Sequence, residues 1–167
     1  MAADELVEHI APDGTVLRVV TRAEMRRDRL RHRCVYLLVV DAGRLLVHRR
    51  ADDKDVWPGR WDVAAGGVVG AGESWDDAAR RELAEELGVD APPVAVGDGA
   101  WEGEEANVVG RVYVVAHPGP FRFDDGEVVE ARFVDRGGLE HLLATEATCP
   151  DSVAVALPHL VGRLRPD

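Results

Sequence analysis

The sequence has few cysteines, no long apolar run and a deficit of positive charge. Its 167 residues contain two cysteines, Cys34 and Cys149, which lie far apart and form no Cys-x-x-Cys pair. This argues against a disulfide framework or a thiolate metal site, and it predicts a reducing cytoplasm as the working environment. No run approaches the roughly 18–20 apolar residues that span a bilayer, so we expect no membrane segment.

The charge balance restricts the binding partners. The chain has 20 Lys and Arg against 31 Asp and Glu, a formal net charge of −11. Nucleic-acid polymers and anionic membrane surfaces would be repelled by such a protein. A small anionic ligand is still compatible with this charge, provided that a local group reverses the field.

The length and the residue pattern predict one α+β domain over residues 1–167, with a mixed sheet and helices on its faces. Residues 1–31 are expected to form an extension packed on it, because Ala11-Pro12-Asp13-Gly14 is a turn between two strand-like runs. Further strands are predicted at residues 32–40, 44–50, 94–101, 107–117 and 128–134, with short strands and a loop at 57–69. Helices are predicted at residues 22–30, 74–87, 139–144 and 152–164, the last interrupted by Pro158.

Three glutamates on the helix predicted at residues 74–87 carry the clearest chemical signal. Glu82, Glu85 and Glu86 follow i, i+3, i+4 spacing and therefore crowd onto one face. Like charges at i, i+4 cost about 0.2–0.5 kcal/mol per pair, so the cluster calls for compensation. One interpretation is a solvated helix face, and the other is a site for Mg²⁺ or Mn²⁺, which prefer oxygen ligands. The glycine-rich approach at residues 66–72 favours the second, because it lets the backbone approach a ligand closely.

The segment resembles a complete Nudix box. It reads Gly67-x5-Glu73-x7-Arg81-Glu82-Leu83-x-Glu85-Glu86-x-Gly88-Val89, with all the defining positions present. A match at so many fixed positions is specific. The resemblance implies the Nudix fold, an α/β/α sandwich around a mixed sheet.

The resemblance also implies roles for the residues of the box. The family's metal ligands match Glu82, Glu85, Glu86 and the backbone carbonyl of Gly66. Glu82 or Glu85 is expected to orient or deprotonate the attacking water. The family's Arg–Glu pair matches Arg81 and Glu73, which we expect to orient the ligands.

A second resemblance covers the segment immediately before the box. Residues 48–62 are similar to the isopentenyl-diphosphate isomerase-like branch of the superfamily, in which residues matching Arg50 and Lys54 contact a diphosphate. Arg49 is a further candidate for this contact. The alternative is that the three cations only solubilise a loop.

The isomerase itself needs groups that this chain lacks at the matching positions. Its cysteine and metal-binding histidine match Gly66 and Val68, and its catalytic glutamate falls near Val108. His32 matches one metal histidine of the isomerase, although a single histidine on a strand is more often structural. Proton shuttling across a double bond needs two placed acid/base groups, so a hydrolase is the better expectation.

Candidates outside the box remain open. Glu127 or Glu130 is expected to supply an extra acid, or both are polar positions at the start of a strand. Trp57, Trp101 and Phe121 either stack on the organic part of a substrate or belong to the core and its rim.

The sequence therefore predicts a metal-dependent Nudix pyrophosphohydrolase that uses Mg²⁺ or Mn²⁺ and activated water to cleave a small diphosphate, such as a nucleoside diphosphate derivative. The alternatives are an isopentenyl-diphosphate isomerase-like enzyme and a catalytically silent nucleotide-binding module. The expected partner is a small-molecule diphosphate rather than a nucleic-acid polymer or a membrane. Dimers are common in the family, so a homodimer is a further option.

Overall fold

The computed structural model of the chain describes residues 3–160 and 162–165. Its strands are β1 (Leu6–Ile10), β2 (Val16–Thr21), β3 (His32–Asp41), β4 (Arg44–Arg50), β5 (Trp61–Asp62), β6 (Ala65–Val68), β7 (Val94–Glu102), β8 (Asn107–Ala116) and β9 (Val128–Val134). Its helices are α1 (Arg22–Asp28), α2 (Trp75–Leu87), α3 (Arg136–Thr145) and α4 (Pro150–Val155), followed by a short 3₁₀ helix at Leu157–His159. None of the described helices is long and apolar enough to cross a membrane.

The sheet is mixed, as predicted. Its main strand order is β5-β4-β3-β8-β7, with β6 paired to β3 and β9 paired to β4. Strand β3 runs parallel to β8, from the pair His32↔Val108 to the pair Val40↔Ala116, whereas its pairs with β4 and β6 are antiparallel. Because β4 and β6 pair with opposite ends of β3, the sheet separates between them on that side.

Two apolar layers cover the two faces of the sheet. Alternate residues of β3 point to opposite faces, as the pleat requires. Cys34, Tyr36 and Leu38 join one core cluster with residues of α1, α3 and α4. Val35, Leu37 and Val39 join the other core cluster, which contains the apolar residues of α2. The predicted α+β class, with helices on both faces of a mixed sheet, is confirmed.

The N-terminal hairpin forms as predicted and contacts the glycine-rich loop before α2. Strands β1 and β2 pair antiparallel around the predicted turn. The amide of Ala71 donates to the Leu6 carbonyl at 2.9 Å, and the amide of Gly72 donates to Glu8 Oε1 at 2.9 Å. The hairpin is thereby fixed against the loop that leads into the box helix.

The C-terminal helix differs from the expectation of residues 152–164. Helix α4 starts at Pro150, because proline is well suited to the first turn of a helix, and it already ends at Val155. Pro158 lies in the 3₁₀ helix, and the described residues after it are not helical. Val161, which the prediction included, lies outside the described residues. The predicted helix was too long, because α4 ends before Pro158 and does not resume after it among the described residues.

Candidate active site

Helix α2 is set by local signals at both ends. Ser74 caps its start, with the amide of Asp77 donating to Ser74 Oγ at 3.1 Å. Gly88 ends it in the left-handed conformation, at φ 64°. Ala79, Leu83 and their neighbours on one face pack into the core. This anchoring holds the three glutamates of the helix at the edge of a cavity.

The three glutamates differ sharply in exposure. Glu82 and Glu86 are each only 6% exposed, whereas the Glu85 side chain is 57% exposed. Gly67 leaves room for Glu82, because a Cβ at that position would lie 2.5 Å from Glu82 Oε1. The amide of Gly66 donates to Glu86 Oε2 at 3.0 Å. Two of the three carboxylates on this face, those of Glu82 and Glu86, are thus packed under the glycine loop, whereas Glu85 remains exposed to solvent.

Burial makes the negative charges of Glu82 and Glu86 unfavourable. It raises the pKa of Glu86 to about 8, with the nearby charge of Glu82 acting in the same direction. Burial also raises the pKa of Glu82, although Arg81 opposes the shift. Perturbed pKa values cluster at functional sites, so two buried carboxyl groups in one cavity wall mark a candidate functional site.

Arg81 links the glutamates of the box to one another. Its Nε and Nη2 atoms donate to Glu73 at 2.8 and 3.0 Å, and its Nη1 atom donates to Glu82 Oε1 at 2.6 Å and to Glu85 Oε2 at 3.2 Å. Nη2 also donates to the Val68 carbonyl at 3.1 Å. These hydrogen bonds hold the pKa of Glu73 below its usual value. The geometry suits the orienting role expected for the Arg81–Glu73 pair, and Arg81 additionally contacts two of the expected metal ligands.

The cavity beside the glutamates has a volume of about 480 Å³, within the usual range for small-molecule sites. Its walls combine the carboxylates of α2 with a group of basic side chains. Those basic residues are Arg22, Arg26, Arg50 and Lys54. The remaining walls are mostly apolar or small, and they include Cys34, Val56, Trp57, Ala64, Val68, Ala106 and Val108. The cavity therefore places negative and positive groups around one space.

Two of the three cations expected to contact a diphosphate line this cavity. Arg50 donates from Nε and Nη2 to the Val56 carbonyl at 3.1 and 3.0 Å, and its Nη1 lies 3.7 Å from Asp62. Lys54 Nζ lies 2.5 Å from Glu127 Oε2. Arg49 is not among the lining residues and pairs with Asp52 at 3.4 Å. Neighbouring residues of a strand point to opposite faces, so β4 turns Arg49 away when it presents Arg50.

The structure also separates the two acids proposed as extra candidates. Glu127 lines the cavity and contacts Lys54. Glu130 lies opposite Arg49 in the β4–β9 register and pairs with Arg132 at 3.1 Å, outside the cavity wall. The structure therefore brings Glu127, and not Glu130, to the other candidate residues.

Sequence reasoning missed the contribution of helix α1. Arg22 and Arg26 are one turn apart and both line the cavity, and both approach Asp55 Oδ2, at 3.4 and 3.3 Å. The arginine-rich composition of residues 22–30 was the available signal, but only the packing of the hairpin brings this helix to the site. Asp62 and Asp151 also line the cavity and were missed.

Trp57 lines the cavity. Within the part of the chain that the structure describes, the other aromatic and histidine candidates do not. Trp57 meets Trp101 edge-on, with ring centroids 5.6 Å apart. Phe121 packs on Phe133, with ring centroids 5.8 Å apart, against the core cluster on the side of α2. His32 is buried, and its Nδ1 lies 2.8 Å from the Leu30 carbonyl.

A family model of the NUDIX domain matches residues 30–151, which contain the box, the glycine loop and the cavity strands. The chain belongs to the Nudix family. It is 40% identical over 132 residues to the Nudix hydrolase YfcD of Salmonella typhi, covering 78% of this chain and 72% of that protein. It is 37% identical over 155 residues to the Nudix hydrolase PA4841 of Pseudomonas aeruginosa, covering 89% of both chains. These relatives and the domain together identify a hydrolase.

A solved structure supports the Nudix fold. The crystal structure of DR0079 from Deinococcus radiodurans is similar with a TM-score of 0.75, covering 86% of this chain and 92% of that one. The two are 23% identical, so the likeness concerns the fold alone. The structural similarity covers more of this chain than the family model, which matches residues 30–151.

The donor atoms of this Nudix site suit a hard divalent cation. Glu82, Glu85 and Glu86 offer carboxylate oxygens on one helix, and a bound cation would offset the unfavourable burial of the Glu82 and Glu86 charges. Among the described residues, no three His, Cys, Asp or Glu side chains are already gathered around one point. Arg81 instead bonds to Glu82 and Glu85. A cation would therefore compete with the guanidinium for these oxygens.

Proposed function

We propose that this Nudix hydrolase is a divalent-metal-dependent pyrophosphohydrolase that cleaves the diphosphate linkage of a small molecule, such as a nucleoside diphosphate derivative, by attack of water. One observation carries the proposal: a single cavity is lined by the carboxylates of the box helix and by four basic side chains. A diphosphate carries charge that the basic groups bind, and hard cations bridge carboxylates to phosphates.

The metal ligands in this proposal are Glu82, Glu85, Glu86 and the backbone carbonyl of Gly66. When bound there, Mg²⁺ or Mn²⁺ neutralises phosphate oxygens and lowers the pKa of water. Arg81 and Glu73 keep the carboxylates in position, supported by the two hydrogen bonds between them. Glu82 or Glu85 orients the attacking water or accepts its proton.

The basic wall binds the diphosphate. Arg50 is suited to this because Asp62 and the Val56 carbonyl hold its guanidinium at the cavity wall. Lys54 is held by Glu127, which is the candidate for an extra acid. Arg26 reaches the cavity from the extension. We therefore propose that residues 1–31 belong to the same functional domain as the rest of the chain.

The isomerase alternative receives no support from the cavity. The residues near the expected position of its glutamate, Ala106 and Val108, give an apolar wall. Cys34 also lines the cavity, but burial raises the pKa of its thiol to about 12, so it is not a ready acid/base group. A silent nucleotide-binding module would not need the complete set of box glutamates.

The free state of both cysteines supports work in a reducing compartment. Cys34 and Cys149 are buried and unpaired in the structure. We propose the cytoplasm on this basis.

The direct test is hydrolysis of a substrate panel with Mg²⁺ and with Mn²⁺. The panel holds nucleoside di- and triphosphates, sugar nucleotides, dinucleotides and prenyl diphosphates. We expect release of phosphorylated products from at least one member, and a loss of about a hundredfold or more in turnover for Glu86→Gln. Glu140→Gln, at an exposed position of α3, is the matched control. Tight nucleotide binding without turnover would instead identify a binding module, and conversion of isopentenyl diphosphate to its isomer would identify an isomerase.

A further inference from the structure

Asp151 is an acidic residue of the cavity wall that belongs neither to the box nor to the basic group. It lies in the first turn of α4 and lines the cavity from the side of that helix. Tyr36, on strand β3, donates its hydroxyl hydrogen to Asp151 Oδ2 at 2.9 Å. The Asp151 side chain is thereby fixed across two elements of the fold.

The chain places Asp151 through a backbone connection to β5. Thr148 forms a parallel bridge with Trp61, the amide of Trp61 donates to the Ala147 carbonyl at 2.9 Å, and the amide of Cys149 donates to the Trp61 carbonyl at 2.9 Å. Asp62 is the last residue of β5, so this connection brings the carboxyl groups of Asp62 and Asp151 into the same wall. Backbone hydrogen bonds between the two segments therefore set this placement.

The carboxyl group of Asp151 has hydrogen-bonding capacity that the protein does not use. Its Oδ1 atom is shielded from solvent and makes no hydrogen bond with any described residue. A buried polar atom without a partner is unfavourable, so such an atom beside a ligand cavity indicates a partner that arrives with the ligand. Asp62 cannot be that partner, because it is an acid occupied by the Ala64 amide at 3.2 Å and by Arg50 at 3.7 Å.

Asp151 lies near the acid Asp62, and the positive charge of Arg50 also acts on it. Burial, and then the negative charge of Asp62, raise the pKa of Asp151, while the hydrogen bond from Tyr36 opposes the shift. Burial keeps the pKa of Tyr36 well above its usual value, so the phenol stays a donor. A carboxyl group beside another acid does not attract phosphate. It suits a neutral polar group such as a hydroxyl, which can both donate and accept.

We propose that Asp151, oriented by Tyr36, selects the organic part of the substrate by forming a hydrogen bond with one of its hydroxyl groups. The sugar of a nucleoside diphosphate derivative carries such hydroxyl groups, whereas diphosphate esters of plain hydrocarbons lack them and are disfavoured. A site built around such a polar group discriminates strongly against ligands that leave it unpaired. The inference rests on the proposed function, since it takes the cavity to hold a diphosphate.

The test uses diphosphate mimics that cannot be hydrolysed, so that binding is measured independently of turnover. Methylenebisphosphonates with an ω-hydroxyalkyl group are compared with n-alkyl ones over a series of chain lengths, by titration calorimetry in Mg²⁺. At the best length we expect the hydroxyl to tighten binding about tenfold. Asp151→Ala should abolish this preference while n-alkyl binding stays within about twofold, and Tyr36→Phe should reduce it.

Two controls keep the experiment decisive. Asp90→Ala, at an exposed position away from the cavity, should keep the full preference. Asp151→Asn retains an oxygen for Tyr36 and an amide for the ligand hydroxyl, so it should restore part of the preference lost in Asp151→Ala. Equal binding of both series at every length, unchanged in Asp151→Ala, would overturn the inference alone. Failure of both series to bind would overturn the diphosphate site and the inference with it.

Discussion

Arg81 donates hydrogen bonds from two nitrogen atoms to Glu73, at 2.8 and 3.0 Å, across the turn that joins the glycine loop to helix α2. Glu73 in turn accepts the amide of Gly70 at 2.8 Å. The arginine has a third nitrogen left, and it uses this atom to hold Glu82. One side chain therefore fixes the loop, the start of the helix and a carboxylate of the cavity relative to one another.

This geometry predicts that lysine cannot replace Arg81. A single ammonium cannot make the paired contacts to Glu73 and reach Glu82 at the same time. We expect Arg81→Lys to lower activity by about 10- to 100-fold and to raise the concentration of Mg²⁺ needed for half-maximal activity. Steady-state kinetics over a Mg²⁺ titration measure both effects. Arg80→Lys is the matched control, because the neighbouring side chain is 61% exposed. Equal kinetics of the two variants would contradict the prediction.

The buried charge of Glu86 predicts a pH-dependent stability of the metal-free protein. Its pKa in the folded state is about 8, above the ordinary glutamate value of 4.5, so the folded state holds its proton more tightly than the unfolded chain. Stability from this group is full below pH 4.5 and is lost as the pH rises through about 8. Glu86→Gln cannot ionise and should be more stable than the wild type in chelator at pH 9, by about 5 kcal/mol.

Denaturant unfolding in chelator, compared between pH 5 and pH 9, measures this difference. Glu85→Gln is the control, because the Glu85 side chain is 57% exposed and its removal relieves no buried charge. Added Mg²⁺ should stabilise the wild type and not Glu86→Gln, since a ligand stabilises the state that binds it. If the stability of the wild type had the same pH dependence as that of Glu86→Gln, the raised pKa of Glu86 would be contradicted.

The sequence predicted the box helix well because its determinants are local. Ser74 and Gly88 set its ends within a few residues, and the fixed spacing sets its carboxylates. It did not predict which cations reach the cavity, because Arg49 and Arg50 differ only by the face of β4 on which the sheet places them. Asp151 depends on a backbone connection to a strand almost ninety residues earlier, and no local pattern encodes that approach.

The burial of His32 predicts a loss of stability in acid. Burial lowers its pKa to about 3, with the charge of Arg26 acting in the same direction. The unfolded chain takes up a proton near pH 6.5, whereas the folded state does so only near pH 3, so stability falls as the pH drops below 6.5. At pH 5 the loss from this group is about 2 kcal/mol. His32→Asn keeps a donor for the Leu30 carbonyl and should flatten the profile between pH 7 and pH 5, as measured by denaturant unfolding. His141→Asn, at an exposed position of α3, should leave it unchanged.

The reach of helix α1 into the cavity predicts that the N-terminal extension contributes to substrate binding. Arg26 lines the cavity with its side chain 22% exposed, whereas the adjacent Arg27 is 70% exposed and pairs with Asp28 at 2.7 Å. A cation that binds the diphosphate equally in the ground state and the transition state changes KM rather than kcat. We expect Arg26→Gln to raise KM about tenfold with kcat nearly constant, and Arg27→Gln to leave both unchanged. The effect on KM should weaken at high salt, because the contact is electrostatic. If Arg26→Gln and Arg27→Gln had equal KM values, Arg26 of the extension would not contribute to substrate binding.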